Sequence, residues 1–108
     1  MLGLNADDRA GAVFAALADP TRRVMLTRLR EAPSTASRMA GDLPITRQAV
    51  TKHLTALRAA GLVDARREGR ETRYVLTPAP LADAMAWMAE AGGMWDARLA
   101  RLAERARS

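Results

Sequence analysis

The chain contains no cysteine. That absence removes disulfides, thiolate metal sites, iron–sulfur clusters and cysteine nucleophiles together. It has one histidine, His53, and one histidine cannot build an imidazole metal centre within a single chain. Aromatics are scarce, with one Phe, one Tyr and two Trp. A β-rich fold usually draws on more aromatic and β-branched residues than this. No glycine-rich phosphate loop is present, and Ser34 and Ser37 have no histidine base near them in the sequence, so no catalytic machinery is recognisable. No apolar run approaches the ~20 residues of a membrane span. The opening MLGLNADDRAGAVF lacks a basic start followed by a long apolar run, so no secretory leader is expected. The expectation is a soluble cytoplasmic protein that is not an enzyme, has no cofactor and does not associate with membranes.

What is present points to helix. Alanine, leucine and arginine are abundant and all favour it. With 108 residues the chain suits one domain, 1–108, and so small a core gains from dimerisation. The formal charge of +5 favours a polyanionic partner, nucleic acid before an acidic membrane surface.

The apolar periodicity predicts a first helix from Asp7 to Leu17, with Ala10, Val13, Phe14 and Leu17 on one face. Asp19 can cap a second helix and Pro20 fits its first position. That helix runs to about Glu31, buries Met25, Leu26 and Leu29, and stops before Pro33. Ser34 or Thr35 caps a short third helix with Ala36, Met39, Ala40 and Leu43 inward. Thr46 caps a fourth, to about Ala60, and Gly61 ends it. The period then changes to two. Residues 62–68 and 71–77 predict a β-hairpin around Gly69-Arg70, with Val63 and Ala65 on one face and Thr72, Tyr74 and Leu76 on one face. Pro78 and Pro80 break it before a long helix from about Leu81 to Arg105.

The fourth helix, ITRQAVTKHLTAL, has Val50, Leu54 and Leu57 on one side and Gln48, Thr51, Lys52 and Thr55 on the other, with Arg47 and Arg58 on the flanks. Arginine and lysine can pair with guanine, glutamine with adenine, and threonine methyls with thymine. A phosphate can be held at Thr46 and the free amides beside it. Any amphipathic helix needs a solvated face, so the wheel alone does not decide. The basic hairpin ARREGRETRY that follows tips the balance. A short helix, a tight turn, a longer helix and such a hairpin make a winged helix-turn-helix. Arg66, Arg67, Arg70 and Arg73 can lie along phosphates or enter a minor groove. The fold class is thus mainly α with a small β-hairpin: helices 1–4, a two-stranded wing and a long C-terminal helix.

Three phrases carry a family resemblance: ALADPTRR (16–23), ITRQAVTKHLTALRAAGLV (45–63) and REGRETRYVL (67–76). They resemble the ArsR-type winged helix-turn-helix repressors, and more narrowly the branch with ADPTRR before its second helix. The resemblance covers nearly the whole chain in the right order. It implies a homodimeric regulator, usually a repressor, bound to a palindromic operator in double-stranded DNA. By position, the family's base-reading residues fall on Arg47, Gln48, Thr51 and Lys52, and its wing tip on Arg70. The expected DNA-binding set is Thr46, Arg47, Gln48, Thr51, Lys52, Arg66, Arg70 and Arg73.

Many members of that family sense metals. One of their sites uses a cysteine pair on the helix before the recognition helix, where this chain reads Thr35-Ala36-Ser37-Arg38-Met39. Another uses histidines and carboxylates on the last helix, which here has Asp83, Glu90, Asp96 and Glu104 but no histidine. Tight sensing of zinc, cadmium or nickel needs imidazole or sulfur donors, so no metal site is expected. His53 is expected to be partly buried and hydrogen-bonded.

On the last helix Leu81, Met85, Met88, Gly92, Trp95, Leu99 and Leu102 alternate in steps of four and three, a heptad seam suited to pairing. Trp87, Ala91, Met94 and Arg98 form a second stripe. Together with Val13 and Phe14 of the first helix, the seam is the expected homodimer interface, which makes 1–18 and 80–108 the dimerisation segments. Gly92-Gly93 should weaken the helix by ~2 kcal/mol relative to alanines and permits a close approach, a bend or a small pocket. The competing reading is a winged-helix module that binds a protein and has only unspecific DNA affinity. The inducing signal stays open: an unknown effector, a partner protein or abundance control.

Overall fold

The computed structural model describes residues 6–107. Residues 1–5 of the expected dimerisation segment 1–18, and Ser108, lie outside the described residues. The elements are α1 (Ala6–Leu17), α2 (Pro20–Glu31), β1 (Ser34–Thr35), α3 (Ala36–Asp42), α4 (Arg47–Ala59), β2 (Val63–Glu68), β3 (Glu71–Leu76) and α5 (Ala79–Arg107). This is a mainly α winged helix-turn-helix with a long last helix.

The α1–α2 corner shows what ADPTRR does. The Asp19 carboxylate accepts hydrogen bonds from the backbone N–H groups of Thr21 at 2.8 Å and Arg22 at 3.2 Å. Pro20 opens α2, where a missing N–H costs nothing. The Arg22 amide, ahead of the Thr21 amide and the charges of His53 and Arg22, holds the Asp19 carboxyl below the usual carboxylate range. Two side chains then reach back. Arg22 Nε and Nη2 donate to the carbonyls of Ala16 and Ala15 at 2.7 and 3.0 Å, and Arg23 Nη1 donates to the Leu17 carbonyl at 2.6 Å. Those carbonyls end α1 and have no partner inside it. Cations also suit a helix C-terminus. One motif therefore closes two helix ends, a role for Arg22 and Arg23 that the sequence reading did not find.

Val13, Met25, Met39, Val50, Leu54, Leu57 and Leu62 are fully buried and form a single core between the helices and the base of the hairpin. Fully burying one such side chain contributes roughly 1.5–3 kcal/mol. No polar or charged residue is buried among those described. Arg28 on α2 meets Asp42 on α3 at 3.3 Å and ties those helices at the surface.

The hairpin is joined by a strand the sequence reading missed. The sheet order is β1-β3-β2, with Ser34 opposite Tyr74 and Thr35 opposite Arg73. β1 thereby tethers the wing to the start of α3. Two glycines are needed for their backbone. Gly61 (φ 78°) ends α4: its N–H reaches the Arg58 carbonyl and the Leu62 N–H reaches the Leu57 carbonyl, the paired bonds of a Schellman motif. Gly69 (φ 61°) takes the first central position of the two-residue β2–β3 turn, where a type II′ turn wants glycine.

α5 starts earlier than its prolines suggested. The N–H groups of Leu81 and Ala82 bond to the Pro78 carbonyl, and Pro80 lies within the first turn. Proline is tolerated there because first-turn amides need no intrahelical partner. Gly92-Gly93 do not interrupt the helix. Phe14 of α1 sets its ring edge against Trp87, with centroids 5.7 Å apart. Beyond that contact α5 leaves the body. The radius of gyration is 18.6 Å, against about 13 Å for a compact domain of this length. No helix among the described residues is long and apolar enough to cross a membrane.

Candidate nucleic-acid interface

The turn between α3 and α4 is short and held at both ends. Thr35 Oγ1 caps α3 by accepting from the Arg38 N–H, and Thr46 Oγ1 caps α4 by accepting from the Ala49 N–H, each at 3.1 Å. Between them the Ile45 N–H bonds to the Leu43 carbonyl at 2.8 Å. Val50, Leu54 and Leu57 are wholly covered, which fixes the rotation of α4. Arg47, Gln48, Thr51, Lys52 and Thr55 are thereby turned outward and exposed. The Thr55 hydroxyl donates to the Thr51 carbonyl, leaving the Thr51 side chain free among the described residues.

The wing stands beside this face. Arg47 and Thr51 of α4 share a cleft of ≈ 450 Å³ with Arg67, Arg70, Thr72 and Tyr74 of the hairpin, closed at one end by Thr35 and Ser37. Glu71 is the one carboxylate on its rim. Eight hydroxyl or guanidinium side chains therefore converge, with Arg67 Nε braced on the Gly69 carbonyl at 3.1 Å. Such a surface suits a polyanion, because phosphate oxygens accept from guanidinium and hydroxyl donors.

The expected set divides on this geometry. Thr46, Arg47, Gln48, Thr51 and Lys52 lie together along the exposed side and N-terminal end of α4, and Arg70 joins Arg47 and Thr51 in the cleft. Arg66 and Arg73 do not join them. They are cross-strand partners on the other face of the hairpin, where Arg66 lies 3.9 Å from Asp64 and Arg73 lies 3.1 Å from Glu68. Ser37 and Tyr74 are outside the expected DNA-binding set, and only the tertiary fold brings them to the cleft. For Arg67 a signal existed: the alternation that puts Val63 and Ala65 on one face carries Arg67 with them.

His53 is half-buried, and no hydrogen bond to its ring occurs among the described residues, so the hydrogen-bonded ring expected from the sequence is not found. No group of three metal-ligating side chains occurs among the described residues.

The seam on α5 is bare. Met85, Met88, Trp95, Leu99 and Leu102 are all about half exposed or more, with Trp95 at 61%. Val13 is different. It is fully buried in the chain's own core, so it is not open to a partner. Leu81 and Phe14 are half-buried against the same core. Trp87, Ala91, Met94, Trp95 and Arg98 outline a shallow groove of ≈ 310 Å³, with the Arg98 guanidinium 5.5 Å from the Trp95 ring centre.

Comparison with known proteins agrees with this geometry. Residues 17–66 match the family described as a helix-turn-helix domain, a span that runs from the end of α1 into the wing. CmtR, an HTH-type transcriptional regulator of Mycobacterium tuberculosis (strain H37Rv) and a cadmium metal-sensor, is 40% identical over 93 residues, covering 86% of this chain and 79% of CmtR. SdpR, a transcriptional repressor of Bacillus subtilis (strain 168), is 34% identical over 76 residues, covering 70% of this chain and 84% of SdpR. The structure of an ArsR-like transcriptional regulator from Rhodococcus sp. RHA1 superposes with a TM-score of 0.83 at 42% identity, covering 92% of this chain and 93% of that one. A recognition helix, a basic wing and these relatives together place the chain in the ArsR family of winged helix-turn-helix transcriptional regulators.

Proposed function

We propose that this DNA-binding transcriptional regulator works as a homodimeric repressor that reads a palindromic operator. The carrying observation is the exposed cationic and amide face of α4, held in register by a fully buried opposite face and continuous with the wing cleft. In this reading the whole chain, 1–108, is one DNA-binding unit. Gln48, Thr51, Lys52 and Arg47 meet base edges in the major groove, Thr46 meets a phosphate beside them, and Arg70 meets the strand from the wing. A two-fold axis through paired α5 helices sets two α4 helices into successive major grooves about 34 Å apart. Seven large apolar side chains exposed on α5 support the pairing, since a patch of that kind on a small protein marks an interaction surface.

Cadmium sensing is not carried over from CmtR. Soft-metal sensing relies on thiolate donors, and this chain has none. The signal that releases DNA is then an organic effector, a partner protein or the abundance of the regulator itself. The chain's work takes place in the cytoplasm, where the DNA is.

Fluorescence anisotropy against the protein's own upstream DNA tests the reading, with a random duplex of equal length as control. A dimer-sized complex that outcompetes random duplex by ~10³ or more is expected. Equal affinities with a steep salt slope would show phosphate attraction alone and favour a protein partner for the α4 face.

A further inference from the structure

Arg66 and Arg67 are adjacent, identical in chemistry and both exposed, yet the pleat sends them to opposite faces of the wing. Arg67 pairs across the hairpin with Thr72, and both line the cleft beside α4. Arg66 pairs with Arg73 on the far face. We infer that the DNA strand passes along the α4-facing side of the wing, that Arg67 takes a phosphate there beside Arg70, and that Arg66 takes none. This rests on the DNA-reading role proposed above and adds a residue and a side of approach to it.

Charge sorts the two faces the same way. On the far face Arg66 and Arg73 are balanced by Asp64 and Glu68, each arginine within ion-pair distance of one carboxylate. Two arginines placed directly opposite each other would repel, and those carboxylates offset it. The near side gathers Arg47, Arg67 and Arg70 around one rim carboxylate, Glu71, and no ion pair ties these three arginines among the described residues. Hydroxyls of Thr51 and Tyr74 face the same space. The near side therefore keeps uncompensated donors, and the far side does not. The Arg67 Nε bond to the Gly69 carbonyl also fixes the guanidinium before DNA arrives, which leaves its other nitrogens for a phosphate.

The comparison is clean because Arg66→Ala and Arg67→Ala remove the same charge. Binding of both variants to the upstream duplex and to a random duplex is measured over a series of salt concentrations. Arg67→Ala should weaken binding to both duplexes and make the slope of log K against log salt shallower by about one unit per protomer, one lost phosphate contact. Arg66→Ala should leave the slope at the wild-type value. Arg67→Lys separates contact from turn bracing: it keeps the charge but not the Nε bond, and should recover most of the slope. If Arg66→Ala changes the slope as much as Arg67→Ala, or if Arg67→Lys behaves like Arg67→Ala, the inference is overturned. Arg47→Ala is the control on the parent reading. Lost binding with Arg47→Ala but not with Arg67→Ala rejects the wing assignment alone. No effect from either, on a protein that does not prefer its operator, rejects the DNA-reading role and this inference with it.

Discussion

α4 and α5 are both amphipathic helices in the same small chain, but the protomer completes only one of them. The apolar side of α4 is entirely covered, with Val50, Leu54 and Leu57 at 0% exposure. On α5 Ala84 alone is buried, while Met85, Trp95 and Leu99 stand 65%, 61% and 56% exposed. The same 3.6-residue period thus has two physical meanings. In α4 it divides a core side from an exposed polar side, the side proposed above to meet DNA. In α5 the apolar residues themselves are left facing water, which is unfavourable at roughly 25 cal/mol per Å² until something covers them.

The sharpest way to break that contrast is to charge the bare seam. Leu99→Glu should leave the fold intact, because Leu99 is more exposed than not. It should yield a monomer in sedimentation velocity and lower operator affinity by about 10²-fold or more, since the second half-site is then no longer tethered. A variant that remains dimeric would move the interface off this seam.

A smaller effect sharpens the α4 side. Gln48 is exposed, and its side chain makes no hydrogen bond among the described residues. Gln48→Ala should therefore reduce discrimination between operator and random duplex by about 1–3 kcal/mol, the value of one bidentate base contact. Thermal stability should be unchanged. Equal loss on both duplexes would show that Gln48 touches the backbone and reads no base.

Smaller again is Thr46→Ala. It removes the cap on the Ala49 amide and should cost ~1 kcal/mol of stability, read as a lower urea midpoint. Operator binding should fall with it only as far as α4 frays. A loss of affinity well beyond the loss of stability would favour a direct phosphate contact at Thr46.

Much of this architecture was legible because its signals are local. Caps at Asp19, Thr35 and Thr46, the stop at Gly61 and the turn at Gly69 each depend on residues within a few positions. The exposed polar side of α4 was legible for the same reason, as one helical wheel. What escaped depends on contacts between elements. β1 is two residues long, and its partner Tyr74 lies forty positions from Ser34. The ends of Arg22 and Arg23 reach only a short way back in sequence, but they cross the corner to a different helix, which no single-helix pattern shows. The division of the wing arginines needed the pleat, the partner strand and the neighbouring helix together, so a list of basic residues grouped what the sheet separates.

The α1–α2 corner gives the smallest effect and one with a fixed direction in pH. The folded chain holds the Asp19 carboxyl below its usual range, chiefly through the Arg22 amide, so folding favours the ionised form. The charge's contribution to stability is then fully present above the unfolded pKa, near 3.8, and is lost as pH falls through the lower folded value. Asp19→Asn tests this without removing the cap, because asparagine also accepts from helix amides. Urea midpoints should show the wild type more stable at neutral pH, with the difference closing only below the unfolded pKa. A gap that persists unchanged to the acid side of that window would mean that shape at the cap, rather than the carboxylate charge, sets the corner. The α1–α2 corner would then be held by the cap's geometry and by the Arg22 and Arg23 bonds to the end of α1, with no share from the Asp19 charge.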